Sequence, residues 1–144
     1  MGKLPHAANF RDLIVYQKAR ALAREIFEVS TTFPKEEMYS LTDQLRRASR
    51  SVGGQIAEAW GKRRYERHFV SKLTDADSEQ YETQHWLETA LDCDYLDEQQ
   101  VVALVRKCEE IGRLLGGMMD KAHLFCRTTT GSLCEPDLEY YISE

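Results

Sequence analysis

The sequence predicts an all-α fold, an antiparallel up-down-up-down four-helix bundle, and three observations carry that expectation. Four stretches place apolar residues at three- and four-residue spacing, the connections between them are short, and no run alternates with the period of a strand. Short connections force neighbouring helices to run antiparallel. At 144 residues, with 42% hydrophobic and 30% charged side chains, the chain is long enough for one core and too apolar for disorder. One bundle is expected over residues 1–127, followed by an acidic tail over 128–144.

Asp12 is the expected N-cap of the first helix, where Tyr16, Ala19, Leu22, Ala23, Ile26 and Phe27 share a face as far as about Thr31. Phe33-Pro34 ends it, because proline lacks the N–H a helix needs and disfavours helical geometry in the residue before it. Ser40 is expected to cap the second helix, lined by Leu41, Leu45, Ala48, Val52, Ile56 and Ala59 and closed at Trp60-Gly61. Inside it, Gly53 and Gly54 each cost roughly 0.8–1 kcal/mol relative to alanine, which calls for a kink or a close helix contact.

The third helix starts at Tyr65 or Glu66 and carries Phe69, Leu73, Ala76, Gln80, Gln84, Leu87 and Leu91, apolar at its ends and polar in its middle. Asp97 and Gln100 make a capping box for the fourth, where Val101, Leu104, Val105, Cys108, Ile111, Leu115, Met118, Met119 and Ala122 repeat. After about Arg127 the pattern fails. Thr128 to Ser132 reads as a loop leading to Tyr140-Tyr141-Ile142.

The formal charge of -5 argues against whole-surface attraction to nucleic acid, which leans on Lys and Arg neutralising phosphates. The charge is lopsided, however. Arg46, Arg47, Arg50, Lys62, Arg63, Arg64 and Arg67 form a basic region that suits a negatively charged partner, whereas Leu73 to Gln100 holds nine acids and no Lys or Arg. Trp60, Tyr65, Val70, Tyr81 and Trp86 exceed a single apolar stripe and are the candidate surface for self-association.

Catalytic and metal chemistry find little footing. Glu82 and His85 form one E-x-x-H, but a di-iron bundle needs a second, and Glu109 and Glu110 are followed at that spacing by Gly112 and Arg113. The expectation is therefore no metal and no cofactor, with a small helical-bundle metal protein or enzyme on Glu82 and His85 as the alternative. Gly53-Gly54 and Gly116-Gly117 lack the Lys-Ser/Thr of a phosphate loop and are expected to serve helix packing. Cys93, Cys108, Cys126 and Cys134 have no C-x-x-C spacing and are expected to be reduced thiols. No run reaches the roughly 20 apolar residues of a membrane span and no apolar signal opens the chain, so a cytoplasmic address is expected, with no small-molecule substrate in view.

Most of the chain resembles a known family. The resemblance runs through Phe10-Arg11-Asp12-Leu13, Gln17-Lys18-Ala19, Phe33-Pro34, Leu41-Thr42-Asp43-Gln44-Leu45-Arg46-Arg47-Ala48 and Ile56-Ala57-Glu58-Ala59-Trp60. It continues in Lys62-Arg63-Arg64-Tyr65, Phe69-Val70-Ser71-Lys72-Leu73, Glu82-Thr83-Gln84, Trp86-Leu87 and Asp92-Cys93-Asp94-Tyr95-Leu96. These segments are similar to the four-helix bundle proteins encoded in intervening sequences of bacterial 23S ribosomal RNA genes. The resemblance implies an up-down protomer in a ring-shaped homopentamer, without catalytic activity or cofactor. Distantly related bundles assist retroelement reverse transcriptases, binding polymerase and nucleic acid, so it also implies an RNA-linked scaffold. Members of this type usually have Gly where Asp94 stands, at a turn expected to need positive φ. The acidity of this chain makes a protein partner as plausible as RNA.

Overall fold

The computed structural model describes residues 7–126 and 140–142. The chain is all-helical: α1 (Ile14–Val29), α2 (Asp43–Gly61), α3 (Glu66–Asp92), α4 (Glu98–Asp120) and a single turn, α5 (Ala122–Phe125). Among the described residues no strand forms beyond one isolated antiparallel bridge, Leu13 with Ile142. Helix α1 packs on α2, α2 most extensively on α3, α3 on α4, and α4 returns to α1 more sparsely. Lys18–Glu110 at 2.8 Å and Lys107–Glu25 at 2.5 Å span that last, looser seam. Leu22, Ile26, Leu45, Ile56, Phe69, Leu73, Leu87, Ile111, Leu115 and Met118 fill the core between the four long helices.

The ends of the elements hold two corrections. Asp12 does not cap α1, because a 3-10 turn over Phe10–Asp12 precedes the helix and Asn9 caps that turn. The Asp12 carboxylate instead accepts from the Ala8 and Asn9 N–H groups at 2.8 and 3.3 Å. Leu13 then runs extended and buried, turning the chain before α1 begins. Ser40 does not cap α2 either. It lies exposed within a π turn over Met38–Thr42, which leads into α2 with no side-chain cap. That wider turn takes the adjacent Leu41 and Thr42 both inward, where a regular helix would spread them by a hundred degrees or so.

Other expectations hold. Asp97 accepts from the Gln100 N–H at 2.8 Å, while the Gln100 side chain accepts from the Asp97 N–H at 3.0 Å. Asp94 has φ 60, and the Asp94 and Tyr95 N–H groups close back on Leu91 and Ala90, so α3 ends in the left-handed cap that normally favours glycine. The polar middle of α3 is a buried layer. Gln80, 1% exposed, donates to Asp77 at 2.9 Å and accepts from Gln84 at 2.7 Å.

The C-terminal residues 140–142 pack on the bundle. Tyr141 accepts from the Ile14 N–H at 2.9 Å, its ring meets Phe125 edge-on at 5.6 Å, and its hydroxyl occupies the place a Cβ would take at Gly117. Gly117 is thus the helix surface on which Tyr141 rests, whereas nothing stands within 4 Å of a Cβ at Gly116. Gly116→Ala should gain up to about 1 kcal/mol of helix propensity. Gly117→Ala should lose stability, because it expels a buried tyrosine, and paired urea titrations will show the opposite signs. The expected loop Thr128 to Ser132, the body of the expected tail and Cys134 lie outside the described residues.

Candidate functional site

The basic region is one patch in sequence and two in space. Arg46, Arg47 and Arg50 lie early in α2, and Lys62 follows Arg50 by twelve residues, about 18 Å at 1.5 Å per helical residue. At the first cluster the Arg46 and Arg50 guanidinium carbons stand 4.6 and 5.6 Å from the Phe27 ring centroid of α1, and the Arg46 Nε donates to Ser30 Oγ at 2.8 Å. Cation–π contact and a neutral partner hold these arginines in place, and among the described residues no carboxylate pairs with them. Arg47 is exposed beside them.

The second cluster frames the α2–α3 connection. Arg63 stacks on Trp60 with its guanidinium carbon 3.4 Å from the ring centroid and donates to the Trp60 carbonyl at 2.8 Å. That packing makes it a clamp on the last turn of α2. Lys62, Arg64 and Arg67 are exposed, with Arg64 5.8 Å from the Tyr65 ring.

The aromatic candidates also divide. Trp60, Val70 and Trp86 are partly buried and pack against the core, closing its flanks, while Tyr65 and Tyr81 are 56% and 62% exposed. Phe27 was expected on the core face of α1 but is 43% exposed. It follows Ile26 by one residue, and the hundred degrees or so between them turn it to the outer side of α1, under Arg46 and Arg50. Tyr39, 81% exposed in the π turn, is a further surface aromatic that periodicity did not single out.

The pair Glu82 and His85 is engaged by the residue next to it. Trp86 Nε1 donates to Glu82 at 3.3 Å, and the His85 ring meets Trp86 at 4.7 Å. Among the described residues no three His, Cys, Asp or Glu side chains gather as metal ligands. Burial, and second the neighbouring Glu109, pushes the Cys108 thiol up to about 12; burial first, then Glu66, takes Cys126 to about 11. Such thiols stay protonated and are poor nucleophiles.

Helix α3 presents the opposite sign. Burial, and then the nearby Glu82 and Asp75, raises the Glu79 carboxyl above its usual range. An acid whose folded pKa exceeds its unfolded one favours the fold when protonated, below the unfolded value, and that contribution is lost as pH rises through the folded value. Glu79→Gln is therefore expected to raise the melting temperature at pH 7. The gain should vanish below about pH 4, where the unfolded carboxyl is protonated too.

Fold and surfaces together define an all-helical protein with separate basic, acidic and aromatic faces. Residues 11–117 match the family described as 23S rRNA-intervening sequence protein, and the chain belongs to that family. A crystal structure of a protein with unknown function from the S23 ribosomal protein family of Bacteroides thetaiotaomicron has the same fold. Its TM-score is 0.66 at 25% identity, covering 74% of this chain and 98% of that one. No curated protein matches the chain. Among the described residues no helix is long and apolar enough to cross a membrane.

Proposed function

We propose that this protein is a non-catalytic scaffold, an antiparallel up-down-up-down four-helix bundle that assembles with copies of itself into a pentameric ring. In this reading the ring offers basic surface to a negatively charged partner, an RNA or a protein of an RNA-associated or retroelement assembly. One observation carries it: Phe27, exposed on α1, lies beneath Arg46 and Arg50 of α2. Aromatic and arginine side chains held in a fixed arrangement are the residues that dominate interface energetics. The succession of contacts from α1 to α4 and back supports the bundle arrangement, and membership of the 23S rRNA-intervening sequence family supports the RNA-linked setting. The unpaired thiols Cys93, Cys108 and Cys126 support a reducing, cytoplasmic compartment.

Native mass measurement at micromolar protein tests the assembly, with a pentamer expected and a monomer overturning it. The partner is tested by RNA gel shift at stated salt with Arg46→Glu and Arg47→Glu combined, beside Lys62→Glu, Arg64→Glu and Arg67→Glu combined. Wild-type binding that survives the first reversal overturns the Phe27 site as the RNA contact, and binding that survives the second removes the α2–α3 junction.

A further inference from the structure

Two grooves lie between different pairs of helices, one where α1 meets α2 and one where α3 meets α4. The first, of about 280 Å³, has a floor of small residues, Ala19, Ala23, Gly53, Gly54 and Ala57, and is rimmed by Arg20 and Arg50. The glycines in that floor have no internal explanation. A Cβ at Gly53 would make ordinary contact with Tyr16 at 3.7 Å, and one at Gly54 would meet nothing within 4 Å. Helix α2 thus carries two costly glycines for no packing need of its own.

The α3–α4 groove is its complement in charge. Tyr81, 62% exposed, lines it with the carboxylates of Asp77 and Glu109, and exposed Glu88 lies two turns farther along the same face of α3. Among the described residues, Arg113 of α4 is the one lysine or arginine lining that groove.

We infer that copies of this chain join head to tail, with Tyr81 and the α3 carboxylates of one copy seated in the arginine-rimmed α1–α2 groove of the next. This rests on the self-assembly reading above and adds which surfaces meet. Two unlike, complementary faces on one chain make a heterologous contact, which closes into a ring when its rotation allows and does not make a twofold dimer. The missing side chains at Gly53 and Gly54 let a neighbour's aromatic approach the α2 backbone. Arg20 and Arg50 meet the carboxylates around Tyr81. Lys62, Arg64 and Arg67 remain free of this contact, for a partner from outside.

Native mass spectrometry and sedimentation of the full chain decide it, with circular dichroism to verify folding. Tyr81→Ala should weaken each contact roughly 30-fold, the weight of a buried aromatic anchor. Gly54→Gln should block the groove and dissociate the oligomer without lowering the protomer's helix content. Arg20→Glu with Arg50→Glu should dissociate it, as should Glu88→Arg with Glu109→Arg, and the four changes together should restore it. If wild type is oligomeric and these variants leave its mass unchanged, the docking is overturned while self-assembly stands. The same holds if the arginine reversals abolish RNA binding with the oligomer intact. A monomeric wild type overturns the assembly itself.

Discussion

Phe69→Ala is expected to lower the unfolding free energy by about 3–5 kcal/mol, the range for truncating a fully buried phenylalanine. Phe69 stands in the first turn of α3 with no exposed surface and stacks on Phe125 with ring centroids 5.9 Å apart. Phe125 in turn holds the edge of Tyr141. The loss has two parts, the transfer free energy of the ring and the cavity left among side chains that relax only partly. The second part should be large, because α5 is one turn long and has no stability of its own; Phe125, Tyr141 and the Leu13–Ile142 bridge all depend on the same contact. Urea unfolding measures the total. Hydrogen exchange at the Ile14 amide, bonded to the Tyr141 carbonyl, should quicken with it. Tyr141→Ala combined with Phe69→Ala should cost less than the two losses added, since each already loosens the other's partner. A loss below about 1.5 kcal/mol would mean the site collapses around the gap and that Phe69 does not anchor the C-terminal residues.

What the sequence made legible was what lies close along the chain. The α4 capping box needs only Asp97 and Gln100, and the left-handed cap at Asp94 is set by the end of a single helix. The Asp12 and Ser40 caps went astray where local signals compete. Asn9 with Asp12 has the same box spacing three residues earlier, and a π turn has no compositional mark to give away Met38–Thr42. The surfaces were harder for a different reason. Closeness in sequence merged Arg46 to Arg67 into one patch, although a helix spreads such residues over both length and azimuth. Phe27 acquires its role only from two arginines of another helix, and Gly117 only from a tyrosine more than twenty residues further on.

Gly112→Ala is the second large effect, a net loss of about 1–3 kcal/mol where an ordinary helical glycine would gain about 1. An added Cβ would stand 2.9 Å from Gln80 Nε2 and 3.3 Å from Asp77 Oδ1. Gln80 cannot swing away into water, because it is buried and both ends of its amide are engaged, by Asp77 and by Gln84. Either α4 moves off α3, losing contacts along the seam, or the amide turns and leaves a buried polar group unsatisfied. The two routes separate in a double-mutant cycle. Gln80→Ala vacates the space, so Gly112→Ala in that background should be neutral or stabilising, with a coupling energy of about 1–3 kcal/mol. Equal cost in both backgrounds would show that the strain lies between the helix backbones and that the Gln80 layer does not set the spacing of α3 and α4. The layer also bears on assembly, since Asp77, Gln80, Tyr81 and Gln84 line one groove. A wider α3–α4 seam would re-aim Tyr81. Gly112→Ala should therefore weaken self-association as well as the fold, while Gly116→Ala, on the same helix with nothing to displace, should leave it unchanged.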